Sequence, residues 1–147
     1  MAFKFPLATV LRVRLMREER EERLLQQILF QIQQVMTKIA GIDAELERVN
    51  GHRTGHVFKP MSAHHLQGTY GELAYLRQSR VESESNLAKL EDLKDKQLAI
   101  YEAARRDRKM LTEMHDKQKN TFLFEAAKQE QRSVDEYFSS LRSRKAM

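Results

Sequence analysis

The sequence predicts an all-α protein built from two long helices that pair as an antiparallel coiled-coil hairpin, the second helix longer than the first. Three observations carry this prediction. Charged residues make up 32% of the 147-residue chain and aromatic residues 7%, with only five Gly and two Pro. Globular domains carry about 25% charge and more turn residues, so this balance belongs to long helices. Apolar residues recur at alternating spacings of three and four in the first third of the chain, the signature of a heptad seam. A single segment, residues 51–65, collects the turn-forming residues that separate the two stretches.

Helix one is expected over about residues 6–50. Pro6 pre-sets φ for a first helical turn, and no further proline occurs until Pro60. The seam is clearest at Leu25, Ile28, Ile32, Val35, Ile39, Ile42, Leu46 and Val49. Extended backward, the same phase reaches Leu7 and Leu11 but lands on Arg14, Glu18 and Glu21 between them. Charge is therefore expected to break the seam there. Arg17 with Glu21 and Glu19 with Arg23 stand four apart and would support an exposed helix by about 0.3 kcal/mol each.

Gly51, Gly55, Pro60 and Ser62 punctuate the linker and tip, about 51–65, and Ser62 is placed to cap the second helix. Helix two is expected over about 63–143. Its weaker seam holds Leu73, Leu76, Leu87, Leu90, Tyr101, Ala104, Leu111 and Phe122, with Arg80, Lys94, Arg108 and His115 among them. Leu93, Ile100 and Met114 are expected to widen the stripe. The whole of 1–147 reads as a single coiled-coil domain.

Geometry sets the direction of pairing. Helix one is about 65 Å long, whereas a linker of about 14 residues spans at most about 50 Å. A parallel return cannot be made. An elongated, monomeric or weakly self-associating molecule is expected. Helix two, at about 120 Å, outruns its partner from about residue 108 onward. That overhang is not wholly polar: Ala127, Val134, Phe138 and Leu141 fall near one face, and an uncovered apolar face calls for a partner.

No catalytic constellation is present. There is no cysteine, no Gly-rich phosphate loop ending in Lys-Ser or Lys-Thr, and no Gly-x-Ser-x-Gly elbow. A two-helix hairpin also lacks the cleft that holds a small substrate, so no enzyme, cofactor or small-molecule substrate is expected. His52 and His56 have a spacing that could ligate zinc on a helix, but Gly51 and Gly55 argue for a solvated loop. Gly68 and Gly71, each costing about 1 kcal/mol in a helix, point to a frayed start or to close approach of another backbone. Leu66, Tyr70, Leu73, Tyr75 and Leu76 beside them make the tip a candidate binding surface.

No apolar run approaches the roughly 20 residues of a membrane span, and Met1–Pro6 is too short for a secretory signal, so the cytoplasm is the expected compartment. The net charge of +5 would suit nucleic acid, anionic lipid or an acidic protein. Charges are interspersed and no aromatic stacking platform accompanies them, which counts against nucleic acid.

The opening Phe3-Lys-Phe-Pro-Leu-Ala-Thr-Val-Leu-Arg-Val-Arg14, with an Arg/Glu-rich run after it, resembles the start of the FliJ family of flagellar export proteins. Arg108-Lys-Met-Leu-Thr-Glu-Met-His-Asp-Lys-Gln118 and Glu130-Gln-Arg-Ser-Val-Asp-Glu136 are similar to that family's C-terminal pattern. The resemblance implies a coiled-coil stalk of the flagellar type III export machine, cytoplasmic and peripherally associated with the inner face of the membrane at the flagellar base. It implies three partners: the export ATPase ring, the membrane export gate protein and substrate-specific export chaperones. It implies gate contacts beside the tip, here Ile42, Leu46, Val49, Leu73 and Leu76, to which the apolar surplus adds Tyr70. For the ATPase, the uncovered stripe and terminal basic charge nominate Arg12, Arg14, Arg17, Val134, Phe138, Leu141, Arg142 and Arg144. The injectisome stalk would share the architecture. A basic structural or nucleic-acid-associated coiled coil is the reading from another class.

Overall fold

The computed structural model describes residues 2–55 and 62–146, with the side chains of residues 52–55 outside the description. Two helices account for nearly all of it: α1, Ala8–Gly55, and α2, Ala63–Lys145, the longer of the two. No strand occurs among the described residues. The fold is an all-α helical hairpin.

Local chemistry sets the ends. Pro6 and Leu7 form a turn, and the Ala8 amide donates to the Phe5 carbonyl at 3.1 Å, so α1 begins just after the proline. At the other end α1 runs through Gly51 to Gly55, past the stop at residue 50 that the sequence suggested. Glycine costs a helix about 1 kcal/mol but keeps its N–H donor, so it weakens a helix without ending it. Ser62 caps α2 as its sequence position suggested: its Oγ accepts from the His65 amide at 3.2 Å. The last turn of α2 carries Arg142, Arg144 and Lys145, which suits the negative end of the helix dipole.

By internal contact the chain forms two units, one of Arg20–Tyr101 and one of Met1–Glu19 with Glu102–Met147. Within the Arg20–Tyr101 unit the helices run antiparallel. Gln97 donates to the Glu21 carboxylate at 2.6 Å, Arg80 to Asp43 at 2.6 Å, and Arg48 lies 3.5 Å from Glu72. Leu25, Ile28, Ile32, Val35, Ile39, Ile42, Leu46 and Val49 are all buried or half-buried, as a seam must be. From α2 they meet the inward positions Leu73, Leu76, Arg80, Ser83, Leu87, Leu90, Lys94 and Gln97. Leu93 and Ile100 lie outside this seam and are exposed.

The second unit also pairs antiparallel. Arg14 Nη1 donates to the Asp107 carbonyl at 2.9 Å, and Arg108 grips Glu18 through Nε at 2.6 Å and Nη2 at 3.1 Å. Leu7, Leu11, Arg14 and Glu18 face inward, as do Ala104, Arg108, Leu111, His115 and Phe122. Arg14, Glu18 and, in the other unit, Glu21 therefore keep the heptad phase where a break was expected. The reason is complementarity, since each finds a polar partner on α2. Met114 is exposed.

Ahead of α1 an extended arm, residues 2–5, lies along α2. Phe3 and Phe5 set their rings edge-on to His115, with centroids 5.5 and 5.2 Å away, and Phe3 also meets Phe122 at 5.6 Å. These rings cover a seam histidine that would otherwise interrupt the apolar contact.

Candidate docking surfaces

The first candidate surface lies where residues 42–49 of α1 meet residues 66–76 of α2. Ile42, Val49, Leu73 and Leu76 form a buried cluster with Leu46 packed against it, and Leu73 is only 2% exposed. In this arrangement the five pack on one another, four of them buried and Leu46 half-buried. Leu66, Tyr70 and Tyr75 are the apolar side chains that reach outward, and Tyr70 is half exposed. Gly68 and Gly71 lie on the open face of α2, and a Cβ added at either would meet nothing within 4 Å. Among the described residues no other backbone approaches them, and α2 is already regular helix there.

Ion pairs brace this region. Arg48 binds Glu45 one turn earlier on α1 and approaches Glu72 of α2. The hydrogen bond from Arg48 holds the Glu45 carboxyl below its ordinary range. Arg80 binds both Asp43 and Glu84, and the bond to Asp43 is the main reason its guanidinium is held even more firmly protonated. His52 lies within α1, but its side chain and all of His56 fall outside the described residues, so the zinc spacing is not addressed by them. Among the described residues no group of three His, Cys, Asp or Glu side chains could hold a metal ion.

The second candidate surface is the far part of α2. Phe122 is the last inward position, and beyond it every described side chain is exposed except Leu141, which is half-buried. Phe124, Val134 and Phe138 are 60, 42 and 56% exposed. The phase of the apolar positions also changes here. The seam runs through Ala104, Arg108, Leu111, His115 and Phe122, and continuing its spacing would select Glu125, Gln129, Arg132 and Glu136, all polar. The apolar residues instead follow Phe124, Ala127, Val134, Phe138 and Leu141, two positions later, with the polar Gln131 in the same phase. Two positions turn an α-helix by about 200°, so this stripe faces nearly away from the seam and from the arm packed on it.

The basic residues nominated with the stripe do not form one group. Arg12 and Arg17 are exposed, whereas Arg14 is committed to the Asp107 carbonyl. Arg142 stands 35 residues beyond Asp107 on the same helix, about 50 Å away. Among residues to which sequence spacing gave no role, Phe3, Phe5 and Gln97 hold the seam together, and Ser83 is 1% exposed with no hydrogen-bond partner for its Oγ among the described residues.

A buried seam between two long helices, with exposed apolar side chains left on α2, defines the class as an all-α helical hairpin. No helix among the described residues is long and apolar enough to cross a membrane. The family model of the flagellar FliJ protein matches residues 3–147, and the chain belongs to that family, a component of the flagellar export apparatus. Comparison with the curated proteins finds no match, and comparison with the solved structures finds none.

Proposed function

We propose that this chain is a non-catalytic stalk of the flagellar type III export apparatus, working as one coiled-coil piece between the export ATPase ring and the membrane export gate protein. It works in the cytoplasm, peripherally associated with the inner face of the membrane at the flagellar base. There it meets substrate-specific export chaperones. The observation that carries this reading is the exposed stripe from Phe124 to Leu141, an apolar face on a protein of an export family with no α1 residue opposite it.

The ATPase ring takes hold of α2 through Val134, Phe138 and Leu141. Arg142 and Arg144 beside the stripe, and Arg12 and Arg17 about 50 Å away along the axis of α2, steer the encounter, while Arg14 stays committed to the Asp107 carbonyl. Apolar anchors of this kind usually set dissociation, while rim charge mainly sets association. The gate protein meets the tip through Tyr70, with Leu66 and Tyr75 beside it. Ile42, Leu46, Val49, Leu73 and Leu76 act there as the frame that positions it.

Co-purification with the ATPase and with the gate protein tests both surfaces. Phe138→Ala with Leu141→Ala is expected to speed dissociation from the ATPase about tenfold or more. Arg12, Arg17, Arg142 and Arg144 changed to Glu should slow association and alter its salt dependence. Tyr70→Ala should weaken only gate binding. If a chain truncated after Glu130 binds and stimulates the ATPase as the intact chain does, the stripe has no such role.

A further inference from the structure

The stripe on the far part of α2 has a second property, independent of any ATPase: its pattern is complementary to itself when reversed. From the geometry we infer that two copies of this chain pair through residues 124–141 in an antiparallel, two-fold symmetric coiled coil. Such a contact is isologous, so every pairing occurs twice.

The core layers carry the first part of the argument. Assigned as alternating a and d positions, the stripe reads Phe124, Ala127, Gln131, Val134, Phe138 and Leu141. Antiparallel pairing sets Phe124 against Leu141 of the second copy, Ala127 against Phe138, and Gln131 against Val134. Each small or polar residue meets a larger apolar one, which fills space evenly. A parallel pair would set Ala127 on Ala127 and Gln131 on Gln131, leaving a thin layer and a polar layer adjacent.

Flanking charge carries the second part. Lys128 and Asp135 occupy the e positions, Glu130 and Tyr137 the g positions. In the antiparallel pair Lys128 faces Asp135 of the other copy, twice, and Glu130 faces the Tyr137 hydroxyl. In a parallel pair Glu130 would face Asp135 on both sides, which repels. The Lys128 ammonium already lies beside the stripe, 4.9 Å from the centre of the Phe124 ring. Asp135 accepts from Gln131 on its own helix at 3.2 Å, on the same edge.

Size sets the strength. Eighteen residues are about 27 Å of helix, which places the contact at the low end of specific interfaces, about 1,200 Å² or less. The dimer is therefore reversible, and the same stripe cannot be held by a second copy and by another protein at once.

Sedimentation of the full chain over about 5 to 300 µM tests the inference, with Kd spanning the corresponding micromolar range. A reversible monomer–dimer equilibrium is expected. Phe138→Glu should abolish it while circular dichroism stays unchanged, because the residue is exposed in the monomer. Lys128→Asp or Asp135→Lys alone should raise the dissociation constant about tenfold, and the two together should restore it. The chain has no cysteine, so Ala127→Cys and Phe138→Cys variants give clean crosslinks. A disulfide is expected only when the two variants are mixed, since each cysteine sits about 16 Å along the axis from its own copy. A monomer at every concentration, a dimer that survives Phe138→Glu, failure of the charge swap to restore pairing, or disulfides within each single variant would each overturn the inference.

Discussion

Arg108 and Glu18 are each well shielded, with side chains 23 and 12% exposed, and they meet through two hydrogen bonds. A pair in this setting gains Coulomb energy but has lost hydration, so removing one partner costs more than removing both. Glu18→Leu or Arg108→Leu alone should lower unfolding stability by about 2 kcal/mol, and the double Leu variant should equal or exceed the parent. Urea denaturation of the three variants measures this. The same residues explain what the sequence left hidden. A periodicity count scores apolar positions, so Arg14, Glu18 and Glu21 register as a break, and only the facing Asp107 carbonyl, Arg108 and Gln97 reveal that the phase is kept. Phe3 and Phe5 were hidden for another reason: an extended arm has no helical period to detect.

At the scale of the elements, apolar spacing alone located the seam of α1 from Leu25 to Val49, because a heptad run that long admits one face only. Glycine was the misleading signal, since Gly51 and Gly55 read as a stop and Gly68 and Gly71 as a special place. All four lie within helices, and an added Cβ at Gly41, Gly51, Gly68 or Gly71 would meet no neighbour within 4 Å. Alanine at Gly41, Gly68 and Gly71 should therefore stabilise the protein by about 0.5–1 kcal/mol each, close to additively. A rise in melting temperature with each substitution checks it, and a fall at Gly68 or Gly71 would mean the open face is occupied by something else. Five of the candidate gate residues, Ile42, Leu46, Val49, Leu73 and Leu76, read in the sequence both as seam positions and as gate contacts, and only Tyr70 stands exposed. One residue can serve a seam or a surface, and spacing alone does not separate the two roles.

For the molecule as a whole, the buried core and the proposed docking stripe draw on different residues. The buried apolar side chains, Phe5, Leu25, Ile42, Val49, Leu73, Leu76, Ala104 and Leu111, all precede residue 112, and none lies in the stripe. A chain ending after Phe122 should melt within about 2 °C of the full protein, whereas Leu73→Ala should cost about 2–4 kcal/mol. Thermal scans of the two variants, run at a concentration where the full chain is monomeric, make the comparison, and a large loss on truncation there would show that the stripe is covered within the monomer.

The partner of Glu18 is Arg108, 90 residues later. During synthesis, at about 5 to 20 residues per second, the start of α1 therefore leaves the ribosome roughly 5 to 20 s before the segment it pairs with exists. An uninterrupted apolar seam would spend that interval bare, open to aggregation with other emerging chains. Arg14, Glu18 and Glu21 divide it with charge that water can solvate until α2 arrives. The polar stretch of the seam should therefore keep this part of the nascent chain solvated until α2 arrives to form the cross-helix bonds.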